Sequence, residues 1–223
     1  MFEAGRDQAA GLRQLFPSRQ PCLLPLGCTP GDARERAGVE AIVRALTRLG
    51  RRPLLVDLLG GAAVARRPSY AVIDANAMLP SGANSHELGQ LLDALAQRAP
   101  WRSFDVAIVA AEPLRLADLS AGLADRIVLA TRAGSDGLTR TYSQIKAMHL
   151  AHGFRSYCTV FVDAASQAAA IASHRRLADA AARFLGAAIE FGGARDALDE
   201  GHIAADALRW SQPLPSCASS TTH

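Results

Sequence analysis

The sequence predicts an α/β fold: a doubly wound, mostly parallel sheet of about seven strands with helices on both faces, preceded by a short N-terminal helix. Three observations predict it. From Cys22 onward, short apolar runs alternate with stretches of helical period, the order that βαβ units impose. Aromatic residues are only 5% of the 223, so the core has to be built from Ala, Leu, Val and Ile, which suits helices packed closely on a sheet. The segment from Pro21 to Asp57 reads as strand, glycine-containing loop, helix and a second strand ending in Asp, an opening βαβ unit.

Taken in order, Met1 to Phe16 places Ala9, Leu12, Leu15 and Phe16 on one helical face, with Asp7 as a cap at its start. Gly5 and Gly11 each cost up to about 1 kcal/mol against Ala, so this helix is expected to form fully only when something docks on its apolar face. Residues 17–21 then read as a linker. The α/β domain is expected over 22–210, with strands at Cys22–Leu26, Pro53–Val56, Tyr70–Asp74, Val106–Ala110, Ile127–Ala130, Tyr157–Val162 and Ile189–Phe191. Helices are expected near Arg34–Leu49, Ser85–Arg98, Leu138–His152 and Ser166–Leu185. Gly, Pro, Ser and Asn accumulate from Gly60 to Asn84, which reads as a loop with one short strand, and Gly192-Gly193 reads as a strand-end turn. The small, polar residues 211–223 are expected to be a flexible tail.

Composition excludes several classes. A net charge of +3 with Arg spread along the chain does not indicate nucleic acid. Cys22, Cys28, Cys158 and Cys217 form no CxxC pair and have no His at ligand spacing, so neither metal nor a disulfide framework is expected. No stretch approaches the roughly 20 apolar residues of a membrane span, and the tail has too few for a surface helix. These readings make the protein cytoplasmic. His149, His152 and Tyr142 are expected on a helix surface rather than as a base cluster, and Ser135, Asp136 and Ser166 as turn and cap residues.

The segment PCLLPLGCTPGDARERAGVEAIVRALTRLGRRPLLVD resembles the opening of the MinD/ParA family of P-loop ATPases, where a strand leads to GKGGVGKT, a helix ending in "LG+" and a strand closing in Asp. Counted back from LGRRPLLVD, the resemblance puts the family's second loop lysine at Glu35 and its Mg²⁺-binding Thr at Arg36. The signature lysine falls at Pro30, and of the loop glycines only Gly31 is in place. Asp32 and Arg34 stand where the backbone must approach phosphates. A carboxylate in place of a cation beside the phosphates turns an attraction into a repulsion, of order 4 kcal/mol at about 4 Å in an effective dielectric near 20. The family's catalytic Asp, two residues after Asp57, corresponds to Leu59, and its Walker B Asp to Ala110. Cradle, metal ligands and water-positioning acid are all missing, so the resemblance implies a degenerate ATPase fold with no cofactor and no catalysis.

The second half narrows the resemblance. TRAGSDGLTRTYSQIKAMHLAHGFRSYCTVFVD is similar to the MinD-like flagellar regulators FlhG and FleN, in which "TTPEP", "TD-Y--IK-LH--HG" and "-VN" follow in this order. Arg132 to Asp136 replaces the TPEP loop, and Asp163 the adenine-contacting Asn. Asp7-Gln8-Ala9-x-Gly11-Leu12-Arg13-x-Leu15 is similar to the "DQA--LR-L" activator helix of that family. The resemblance then implies that Gln8 acts in trans in an FlhF-like, signal-recognition-type GTPase. Asp7 and Arg13 would be polar contacts, Ala9, Leu12, Leu15 and Phe16 the docking face, and Gly11 a further partner-binding residue. It further implies a flagellar transcription regulator or a switch/C-ring component as other partners, and recruitment to the flagellated pole by the partner. Two other readings are an adaptor for a transcription factor or another secretion or cellulose system, and a hydrolase using Arg34, Arg36 and Glu112 unconventionally.

Overall fold

A computed structural model describes residues 21–60, 66–67, 70–98, 104–194 and 200–213. The N-terminal segment carrying Asp7 to Phe16 and the linker up to residue 20 lie outside the described residues, as do residues 214–223. In chain order the strands are β1 (Cys22–Gly27), β2 (Pro53–Asp57), β3 (Arg66–Arg67), β4 (Tyr70–Asp74), β5 (Val106–Ala111), β6 (Arg126–Thr131), β7 (Ser156–Phe161), β8 (Ala188–Ala194) and β9 (Gln212–Pro213). The helices are α1 (Ala33–Arg48), α2 (Ser85–Gln97), α3 (Pro113–Ser120), α4 (Ser135–His152), α5 (Gln167–Leu185) and α6 (Glu200–Trp210).

Seven strands run parallel in the spatial order β4-β2-β5-β1-β6-β7-β8, and these are the seven that the sequence predicts. β3 adds antiparallel to β4 at one edge. Neighbouring side chains on a strand point to opposite faces, and the core is split accordingly. Leu23, Leu54, Val56, Val109, Leu129 and Tyr157 pack under α2, α3, α4 and α5 through Leu88, Leu92, Leu116, Ile145, Met148 and Leu177. On the other face Leu24, Leu26, Leu55, Ile108, Val128 and Cys158 meet α1 and α6 through Val39, Ile42, Val43, Leu46, Ala207 and Trp210. Leu and Ala dominate the first layer and Val, Leu and Ala the second, as the shortage of aromatics requires.

The structure adds elements that the sequence did not announce. α3 is only eight residues long; Glu112 caps it, its side chain accepting from the Arg115 N–H at 3.1 Å, and Pro113 occupies its first turn. α6 buries Trp210 against the sheet. β9 pairs antiparallel with β1, Pro213 opposite Cys22 and Gln212 opposite Leu23, so the first residues of the expected free tail are ordered. Pro25 accounts for this pairing. Proline in a central strand cannot donate to the ladder. β1 is paired with β5 along its whole length, but with β6 only at Leu26 and Gly27. The stretch of β1 before Pro25 is left to β9 on that same side.

Gly192 and Gly193 do not end a strand; both lie inside β8. A Cβ at Gly192 would lie 2.6 Å from Cys158 Sγ and 2.8 Å from Trp210, so the glycine makes room for the α6 anchor. The register between β7 and β8 shifts after Thr159, beside Gly193 with its φ of +105°.

Candidate functional site: the carboxyl edge of the sheet

α1, following β1, lies on one face of the sheet, and α4, following β6, lies on the other. Because β1 and β6 are neighbours, the loops leaving them diverge and open a crevice at the carboxyl ends of the strands, the usual ligand position in an open α/β sheet. Every nucleotide-related residue that the sequence singled out falls at or beside this edge.

The loop from β1 into α1 is closed by its own carboxylates. Gly31 turns it with a φ of +78°, a conformation that favours glycine. Asp32 caps α1, one carboxylate oxygen accepting from the N–H groups of Arg34 at 3.0 Å and Glu35 at 3.1 Å. Glu35, 4% exposed, turns back, and its Oε2 accepts the Thr29 N–H at 2.6 Å. Burial pushes the Glu35 carboxyl above the ordinary carboxylate value, against the pull of that N–H. The N–H groups of Thr29, Asp32, Arg34, Glu35 and Arg36 at this helix start are therefore already engaged. Pro30 and Gly31 form the exposed tip. Cys28 beneath them is buried, its thiol pushed up to about 12 chiefly by burial, with Glu35 adding to the effect.

On the β2 side, Arg36 makes an ion pair with Asp57 and also donates to the Gly60 carbonyl at 2.8 Å. Asp57 is 1% exposed and its other oxygen accepts the Leu59 N–H at 2.9 Å. Leu59 itself packs against the α1-side core. Ala110 lies in β5 opposite Asp57 and Leu26, buried, its carbonyl accepting from Leu58 at 2.8 Å. A methyl group therefore stands where the resemblance places a metal-ligating carboxylate.

On the β6 side, Asp163 accepts from Arg132 Nε at 3.0 Å and from the Ala133 N–H at 2.9 Å, with Arg34 3.5 Å away. Burial pushes the Asp163 carboxyl up, but Ala133, Arg132 and Arg34 outweigh it and hold it below the ordinary value. Arg132 also reaches Asp32 at 3.9 Å. α4 starts at Gly134 with no side-chain cap, so Ser135 and Asp136 belong to its first turn rather than preceding it. Gly137 is required because a Cβ there would strike the Arg132 carbonyl. Two clefts result, one of about 330 Å³ beside Thr29, Arg36 and Leu59, and one of about 230 Å³ beside Arg132, Arg140 and Asp163.

Sequence reasoning missed Arg115. Its guanidinium donates to Leu58 O at 3.3 Å, to Asn76 Oδ1 at 3.0 Å and to the Leu79 carbonyl, tying the segments after β2 and β4 to α3. No sequence signal marks an arginine in so short a helix for this work. Glu112 caps α3, Arg34 faces Asp163 and Arg36 faces Asp57, so the three residues of the unconventional-hydrolase reading are spread over separate contacts. His149 holds the Phe154 carbonyl at 2.9 Å and His152 meets Asp118 at 2.7 Å, both at the far end of α4. Ser166 caps α5 as expected. Among the described residues no group of His, Cys, Asp or Glu is arranged to hold a metal, and no helix is long and apolar enough to cross a membrane.

No family model and no curated protein matches the chain. Among solved structures it is similar to the MinD cell division protein of Aquifex aeolicus, at 13% identity and a TM-score of 0.48, over 86% of this chain and 87% of that one. It is also similar to cobyrinic acid a,c-diamide synthase from Mycobacterium smegmatis with bound ADP and magnesium, at 18% identity and a TM-score of 0.48, over 85% and 94%. That synthase with a bound ATP analogue and magnesium gives 18% and 0.47. At these identities the likeness is of fold alone.

Proposed function

We propose that this chain is a nucleotide-independent, non-catalytic relative of the MinD-like regulators, working through bound partners rather than through hydrolysis. One observation carries the reading: the carboxylate of Glu35 sits inside the loop and takes the Thr29 N–H at 2.6 Å. A triphosphate at this position would meet a buried carboxylate instead of a lysine, and N–H groups already capped by Asp32. The residues present do not fit a Mg²⁺-nucleotide either at Ala110 or at Asp57, whose oxygens are taken by Arg36 and Leu59.

The proposed partner is a signal-recognition-type GTPase of the flagellar kind, recognised by the segment from Asp7 to Phe16. What supports this is the DQAxGLR sequence ahead of an α/β domain of this topology. The proposed role is regulation of flagellar assembly or number, with the α/β domain as the scaffold that presents the segment.

Calorimetric titration of the full chain with ATP and Mg²⁺ tests the central point. The expected result is no heat of binding up to millimolar nucleotide. Micromolar binding overturns the proposal.

A further inference from the structure

The first turn of α1 carries two arginines that face in different directions. Arg36 reaches the end of β2, engaging the Asp57 carboxylate and the Gly60 carbonyl, while Asp57 also holds the Leu59 N–H. Arg34 reaches the segment after β7 at Asp163, 3.5 Å away, which Arg132 and the Ala133 N–H of the β6 loop share at 3.0 Å and 2.9 Å. Arg132 in turn approaches Asp32, the cap of α1, at 3.9 Å. Asp32, Arg34 and Arg36 thus join α1 to the loops on both its sides. Asp57 is nearly fully buried and Asp163 mostly so, hence neither carboxylate can be left without its cation cheaply.

We infer that these contacts form a paired clamp, Arg36 on Asp57 and Arg132 on Asp163, linked through Asp32, that holds the loops after β1, β2, β6 and β7 as one body without a bound ligand. The inference rests on the nucleotide-independent reading and deepens it. The chain's own arginines do the bridging, and the edge keeps one standing conformation. Breaking the β6-side clamp frees not only its own loop but the start of α1, because Arg132 also pairs at 3.9 Å with the Asp32 cap.

Amide hydrogen exchange of the full chain, followed residue by residue, tests this. In Arg36→Gln the Leu59 amide is expected to exchange about tenfold faster or more, because its acceptor has lost its cation. In Arg132→Gln the Ala133 amide speeds up by a similar factor, and the Arg34 and Glu35 amides at the α1 cap follow it. Arg36→Lys, which keeps the charge, recovers part of the Leu59 protection. If Arg36→Gln proves unstable, Arg132→Gln alone decides, since its side chain is 40% exposed and its loss leaves the cores intact. Unchanged exchange at Ala133, Arg34 and Glu35 in Arg132→Gln overturns the clamp. Slowing of these same amides in the wild type by ATP and Mg²⁺ overturns the nucleotide-independent reading instead, so the two failures are told apart.

Discussion

Glu35 accepts a hydrogen bond from the backbone of Thr29, six residues earlier in its own chain, at 2.6 Å. The contact folds the β1–α1 loop over a buried carboxylate. Removing it leaves the half-buried Thr29 N–H without its acceptor, a loss of about 1 kcal/mol. Glu35→Ala is therefore expected to lower the urea midpoint at pH 7. Glu35→Gln, which keeps an acceptor and removes the desolvated charge, is expected to lie within about 0.5 kcal/mol of the wild type or above it. Equal losses in the two variants would mean that the contact contributes nothing.

The same residue gives a pH signature. Burial raises the Glu35 carboxyl above its ordinary value of 4.5. Between that value and the raised one, the folded chain binds more protons than the unfolded chain, so stability falls as pH rises through the window. Asp163 has the opposite sign. Its carboxyl is held below 3.8, so its contribution is present above that value and is lost as pH falls through the lower, folded value. Unfolding free energies measured from pH 3 to pH 7 should show the alkaline-side decline in the wild type but not in Glu35→Gln. The acid-side loss should shrink in Asp163→Asn. Parallel curves for all three proteins would remove the electrostatic account of both groups.

Most of the sheet was legible because most of the seven parallel strands are apolar runs bounded by turn residues, as at Val106–Ala111 and Arg126–Thr131. What escaped had no such signal. Gln212 and Pro213 have no apolar pattern, and β9 exists because Pro25 leaves the β6 side of β1 unpaired beside it. α3 has two turns, with only the Glu112-Pro113 start to mark it. At the candidate site, the residue types at Glu35, Arg36 and Ala110 were readable as wrong for phosphate and metal. Their pairing was not, since Arg36 meets Asp57 from 21 residues away and Arg132 meets Asp163 from 31, separations no local pattern encodes.

The anchor of α6 can be tested at a glycine. A methyl group at Gly192 would approach Cys158 Sγ, Trp210 and Val160 all within 3 Å, in a layer where every neighbour is already buried. Overpacking of this kind costs about 1–3 kcal/mol. Gly192→Ala is expected to lower the thermal midpoint and to red-shift the tryptophan emission as Trp210 is pushed towards water. A variant with wild-type emission and stability would show that α6 is not held there.

Two thiols should be silent. Burial raises Cys28 to about 12 and moves Cys158 in the same direction, so neither forms thiolate at pH 8. Alkylation of the native chain with iodoacetamide, read by peptide mass spectrometry, is expected to leave both unmodified until denaturant is added. Rapid labelling of Cys28 in the native state would place the β1–α1 loop in a more open form than the one described.

The proposed recognition role puts its weight on residues 1–16, outside the described residues. If that segment acts in trans and the α/β domain is its scaffold, deleting it should abolish stimulation of the partner GTPase and leave the thermal midpoint of the remaining chain unchanged. Gln8→Ala separates docking from activation. The residues expected to form the docking face, Ala9, Leu12, Leu15 and Phe16, are unchanged in that variant, so the partner should still be bound with an affinity within about threefold of wild type while the turnover gain is lost. Leu12→Asp, by contrast, places a charge on that face and should lose both binding and stimulation. Turnover of the GTPase with each variant, alongside direct binding, distinguishes these outcomes. A GTPase rate that is stimulated equally by the deleted chain would sink the assignment of the segment, leaving the carboxyl edge as the surface to examine for partner binding.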